Sequence, residues 1–272
     1  MLSPRPLPEA LRQKDWVNEL VCYTNVLIGL QAATVSDWAG VKKCLEAIHE
    51  ARPREGILDI MTLYLDGVLK QGTARLSEAL DIWKDPSFDI SRSAQPNRSH
   101  IKTELSILAA LNRIWGMHDP ELQGGAEMAD LVEQLRPLCE DTLDPDIKTA
   151  WDIVMSSIKI NPSHLDISMQ ELKKHLQMAL HNAKSTSNVQ CLSMGLNIMR
   201  CRLFGDHVGE QAVKSAKAGL AQAKRSGNLL WISVAEGMLA QSHLMMDQLV
   251  ESKEAQDAGI RHANEAFQRT QV

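Results

Sequence analysis

Residues 176–188 read "LQMALHNAKSTSN" and residues 216–228 read "AKAGLAQAKRSGN", forty positions further on. Displaced by forty, Leu180 falls on Leu220, Ala183 on Ala223, Lys184 on Lys224 and Asn188 on Asn228. A second displacement carries Ala218-Gly219-Leu220 onto Ala258-Gly259-Ile260, and Ala223 onto Ala263. Each copy spaces its apolar residues helically and closes on polar, turn-forming residues, so each reads as one helix and its exit. The small residues let a neighbouring helix approach, and Leu or Ile fills the gap beside them. Gly219 and Gly259 each cost about 1 kcal/mol relative to Ala inside a helix, which close packing would offset. Lys184 and Lys224 complement the negative end of the helix dipole.

The same grammar extends outward from these copies. Residues 1–8, with three prolines, are an extended lead-in. Helical patterns then run over 9–33, 37–51, 57–71, 74–83, 100–115, 126–140, 145–159, 168–186, 188–203, 208–225, 229–245 and 249–268. Ser36 and Thr73 are the caps expected for the second and fourth of these, and Pro137 is expected to end or bend the sixth. Residues 85–98, "DPSFDISRSAQPNR", lose all periodicity and read as a flexible surface connection. Taken in pairs, the first helices begin near 9, 57, 99, 145, 188 and 229, a spacing of roughly 41 to 48 residues. The expected fold is therefore all-α: a tetratricopeptide-like solenoid of about twelve helices in six pairs, over 9–268, with 269–272 as a tail.

Composition agrees with that class. Apolar residues make up 44% of the chain but aromatic residues only 4%, so Leu, Ala and Met supply the core and strand formers are sparse. A net charge of −5 and a pI near 6.0 give no electrostatic reason to expect sequence-specific nucleic acid as a direct partner. Five cysteines at wide spacings, an odd number, suggest no disulfide framework and hence a reducing compartment. No apolar run reaches the roughly 18–20 residues of a membrane span, so no membrane partner is expected.

Chemistry-bearing motifs are missing from the sequence. It contains no phosphate-binding glycine loop, no HExxH and no CxxC. His175 and His181 stand six apart, on different helix faces, and the carboxylate pairs sit at helix ends as caps. No catalytic residue, metal site or cofactor is expected. The tryptophans near helix ends, among them Trp38, Trp83, Trp115 and Trp231, read as packing between stacked helices. Two polar stripes carry the binding expectation: Lys102, Ser106 and Arg113 on one first helix, and Gln190, Ser193, Asn197 and Arg200 on another. First helices of such pairs line the concave side, so these stripes are expected to face a groove holding an extended peptide.

Residues 196–241, "LNIMRCRLFGDHVGEQAVKSAKAGLAQAKRSGNLLWISVAEGMLAQ", together with "WVNELVCYTNVLIGLQAATVSDW" at 16–38 and "LAALNRIW" at 108–115, resemble the cohesin loading factor family in its fungal form. The resemblance covers most of the chain, and its motifs are packing motifs. It implies a nuclear, non-enzymatic adaptor that embraces the N-terminal segment of the large, Nipped-B-type HEAT-repeat subunit of the cohesin loader. Through that partner it would support cohesin loading onto chromatin and sister-chromatid cohesion. Without the resemblance, the same repeats describe a general scaffold for chaperone, signalling or transcription complexes. Members of the family are usually longer, and this chain resembles their C-terminal part. The first helix is accordingly expected to leave an apolar end face open at Val17, Leu20, Val21, Val26, Leu27 and Leu30.

Overall fold

Prolines, glycines and capping side chains divide the chain into helices close to where the sequence puts them. The computed structural model describes residues 9–35, 37–51, 56–73, 75–92, 100–117, 125–157, 169–185 and 209–270. Among these residues there are eleven α-helices and no strand: α1 Glu9–Thr34, α2 Trp38–Ala51, α3 Ile57–Gly72, α4 Leu76–Trp83, α5 His100–Gly116, α6 Gly125–Glu140, α7 Pro145–Ser157, α8 Met169–Ser185, α9 Gly209–Ser226, α10 Leu229–Leu244 and α11 Leu249–Thr270. The helix expected over 188–203 lies outside the described residues.

Local chemistry fixes the ends. Asp144 Oδ1 accepts the backbone N–H groups of Asp146 at 2.8 Å and Ile147 at 3.2 Å, opening α7 behind Pro145. Asp37 Oδ1 accepts from Gly40 N–H at 3.0 Å at the start of α2, whereas Ser36 lies outside the described residues. Thr73 does not cap α4. Its hydroxyl donates back to the Leu69 carbonyl at 2.8 Å and closes α3, because the last turn of a helix leaves carbonyls in need of donors. α6 runs on through Pro137, which brings Cys139 into full burial.

The pairs α1/α2, α3/α4, α5/α6 and α7/α8 each pack together, and α1, α3, α5 and α7 also touch in that order. This is the architecture of a helical-pair solenoid, with the first helices forming one shared layer. The core follows the same logic. Cys22, Val26, Trp38, Val41, Leu45, Ile48, Leu58, Leu65 and Leu69 join α1, α2 and α3. Ile60, Trp83, Phe88 and Ala109 carry the core from α3 to α5, and Ile107, Ile114, Leu135, Trp151 and Met155 carry it on to α7. Each fully buried side chain of this size contributes about 1.5–3 kcal/mol. Buried polar groups tie helices in pairs: Asp152 of α7 contacts His175 Nδ1 at 2.8 Å and accepts from Asn182 Nδ2 at 3.3 Å, both on α8.

The forty-residue repeat has a physical counterpart at its glycines. Gly219 and Gly259 are both buried, and a Cβ at Gly259 would stand 3.4 Å from the Ser233 carbonyl oxygen of α10. Ser233 Oγ donates to the Gly259 carbonyl at 2.9 Å across that close approach. Lys224 does more than complement a dipole, since its Nζ lies 3.6 Å from Glu236, a buried carboxylate on α10 that also contacts His262 Nδ1 of α11 at 2.7 Å. The equivalence weakens further along: Ala223 is buried but Ala263 and Ile260 are exposed, because α11 packs on α10 by one face only.

Three further features depart from the sequence reading. Residues 85–92 of the expected flexible connection are anchored by two 3-10 turns, with Phe88 and Ile90 buried in the core; residues 93–99 lie outside the described residues. α1 is apolar on two sides. Val17, Leu20, Val21 and Leu27 are exposed as expected, joined by Ile28, but Val26 is buried and Leu30 packs partly on the core. Finally, the C-terminal helices return to the first pair. Asn228 Nδ2, at the start of α10, donates to the Thr34 carbonyl at the end of α1 at 3.2 Å, and α11 touches α2.

Candidate functional site

The first-helix layer and the returning α10 enclose a groove. It consists of two adjoining cavities of about 410 Å³ and about 240 Å³ that share Tyr64, Gln71, Asn112, Trp115 and Trp231. α1 contributes Leu30 and Thr34 at one end, and α7 contributes Ala150 and Ile153 at the other. Among the described residues, none of the side chains lining either cavity is charged, although Asp, Glu, Lys and Arg make up 23% of the chain.

Packing sets its polar groups. The Tyr64 ring lies 5.4 Å from that of Trp83 and 6.4 Å from that of Phe88, centroid to centroid, which fixes the phenol from behind. Asn112 Nδ2 donates to the Tyr64 hydroxyl at 3.4 Å. Burial pushes that hydroxyl up to about 12, with a smaller opposing pull from Asn112. Tyr64 thus stays a neutral phenol throughout the physiological range. Asn228 is spent on the fold: its Oδ1 accepts from Trp231 N–H at 3.2 Å while its Nδ2 holds Thr34. Gln71 and Asn112 remain as the amides of the groove wall. An amide both donates and accepts, so it can satisfy a peptide backbone whatever that peptide's side chains are.

On α5 the groove-facing residues are Leu108, Leu111, Asn112 and Trp115. The expected stripe lies elsewhere on that helix. Ser106 is fully buried and donates to the Lys102 carbonyl at 2.8 Å within its own helix. Lys102 is half-buried. Arg113 turns to α6, where its Nε donates to Glu127 at 2.9 Å, with Lys84 Nζ 3.5 Å from the same carboxylate. The Arg113 hydrogen bond holds the Glu127 carboxyl below its ordinary range. Arg113 and Glu127 line a separate cavity of about 650 Å³, walled by residues 83–90, α5 and α6 and containing Asp85, Asp89 and Asp130. Gln190, Ser193, Asn197 and Arg200 lie outside the described residues. Trp38 and Trp83 are packed in the core as expected, while Trp115 and Trp231 are half-buried at the groove.

Among the described residues, no cluster of three His, Cys, Asp or Glu is placed to hold a metal ion, and no helix is long and apolar enough to cross a membrane. Cys22, Cys44 and Cys139 are free and buried, and burial raises all three thiols. The sequence model of a family described as cohesin loading factor matches residues 2–249 of the 272. No curated protein and no solved structure matches the chain.

Proposed function

This chain belongs to the cohesin loading factor family and so has a role in cohesin loading, and from that premise we propose that it acts as a non-enzymatic adaptor, holding the N-terminal segment of the large HEAT-repeat loader subunit in the groove between α3, α5, α7 and α10. The observation that carries this reading is the groove itself: several first helices build one continuous surface, as a solenoid does for an extended partner. The adaptor then works in the nucleus, stabilising the loader as it brings cohesin to chromatin and supports sister-chromatid cohesion. Its chemistry is binding alone, with no cofactor.

The test is a pull-down of the N-terminal segment of the large subunit by the full chain, repeated with Trp231→Ala. Retention by the wild type and its loss in the variant are expected. Retention of chaperone or signalling partners without the loader segment would instead assign a general scaffold.

A further inference from the structure

α1 turns one apolar face to its own core through Cys22 and Val26, and a second to solvent. We propose that this outer face is an interface between two copies of the chain, which pair α1 against α1 in antiparallel fashion about a two-fold axis near Thr24.

The outer face has the period of a helix seam. Residues 17, 20 and 21 are exposed, and so are their counterparts seven and fourteen positions on. Alternating steps of three and four residues are what one helix presents to another, and three positions in every seven make a stripe as wide as those that face a core. The side chains suit burial. Val17, Leu20, Val21, Leu27 and Ile28 are between 38 and 63% exposed, and soluble proteins rarely leave so many neighbouring apolar groups uncovered. Thr24 stands in their midst and already donates its hydroxyl to the Leu20 carbonyl at 2.8 Å, so covering it leaves that donor satisfied.

Symmetry and charge identify the occupant as a second copy. The exposed positions from 17 to 31 are disposed evenly about Thr24, so the face is its own complement, as an isologous interface requires. Pairing centred there sets Leu20 opposite Ile28 of the partner and Val21 opposite Leu27 of the partner, large apolar groups against large ones. Glu19 is the one charged residue from Val17 to Val35, so two such faces meet without like-charge repulsion along the seam. Antiparallel packing also sets the helix dipoles head to tail. A parallel pairing would instead bring together the two C-terminal ends of α1, where the turn between α9 and α10 stands alongside: a Cβ at Gly227 would lie 3.8 Å from Val35. The seam is small. Its outward residues and their flanks fall short of the roughly 20–30 residues a side of a standard interface, so the dimer is reversible, with a dissociation constant on the order of micromolar.

The test is sedimentation of the full-length chain between roughly 1 and 100 μM, a range that brackets such a constant. The mass is expected to rise with concentration from 30.2 kDa toward twice that value. Leu20→Glu and Ile28→Lys, each at an exposed position, are expected to weaken self-association at least about tenfold, because a charge covered at the seam would lack a partner. Mixing these two variants is expected to restore a dimer, since the introduced acid and base face each other only when the helices run antiparallel. Leu244→Glu, at an exposed apolar residue on the far end of α10, is expected to change nothing. Circular dichroism establishes that each variant is folded, and the wild-type measurement needs no variant at all. A chain that stays at 30.2 kDa throughout overturns the proposal. So does a dimer that Leu20→Glu leaves intact or Leu244→Glu disrupts, or a mixture of the two seam variants that stays monomeric.

Discussion

Asn228 is the position where one side chain does two separable jobs. Its Oδ1 caps α10 by accepting from Trp231 N–H, and its Nδ2 ties α10 to the Thr34 carbonyl at the end of α1, each at 3.2 Å. Serine caps a helix about as well as asparagine but is too short to reach Thr34, so Asn228→Ser removes the tie and keeps a cap. Thr34 is exposed and water can replace the donor, so the loss should fall toward the low end of about 0.5–1.5 kcal/mol. Asn228→Ala removes the cap as well, adding about 1 kcal/mol for a total of about 1.5–2.5 kcal/mol. Urea unfolding followed by circular dichroism measures both, and hydrogen exchange at the last turn of α1 reads the tie locally. Stability and exchange of Asn228→Ser identical to wild type would refute the return of α10 to α1. Equal losses in the Ser and Ala variants would refute the cap.

Other positions give independent tests. Ala would gain about 1 kcal/mol over Gly in a free helix, but a Cβ at Gly67 runs into the Trp83 ring, so Gly67→Ala should lower the melting temperature; a rise would show that Trp83 does not lie over α3. His262→Ala takes a partner from buried Glu236 and should cost about 1–3 kcal/mol, whereas replacing both residues with leucine should be close to neutral in a denaturation assay. Burial raises Cys139 from an ordinary 9.0, and Tyr64 from 10.0, each to about 12. Both groups ionise first in the unfolded chain. Their stabilising contributions are whole below pH 9 and 10 respectively and are lost as the pH climbs toward 12. Chemical denaturation between about pH 8 and 11 should show falling stability, with a shallower fall in Cys139→Ala.

What the sequence made legible was whatever depends on a local period. Helix positions, the pairing of helices and the small-residue contact at Gly259 all follow from spacing within a few turns. The groove was not legible, because it depends on which helices face each other across it. The polar spacing of Lys102, Ser106 and Arg113 is real, but a serine can satisfy its hydroxyl on its own helix and an arginine can turn to a neighbouring carboxylate. Neither act leaves a sequence signature. Trp115 and Trp231 were visible as helix-end tryptophans, yet core and groove tryptophans look alike until the opposing wall is known. The turn role of Asn228 was readable from its place after Gly227, while its bond to Thr34 was not. Between Asp85 and Arg92 the missed signal was small: Phe88 and Ile90 stand two apart within an otherwise polar stretch.

The bond between Thr34 and Asn228 joins residues 194 positions apart. At a synthesis rate of about 5–20 residues per second, Asn228 is made roughly 10–40 s after Thr34. Helix pairs held by local contacts form far faster than that. The layer of α1, α3, α5 and α7 thus exists on the ribosome as an open trough before α10, followed by α11, arrives as its cover. For an adaptor that holds a threaded segment, timing then matters. A partner made alongside the nascent chain can be laid in before the cover closes, while a partner meeting the finished chain must wait for α10 to lift. Co-expression should therefore load the complex within one round of synthesis. Mixing of finished chains should follow a slower, concentration-independent phase that Asn228→Ser accelerates.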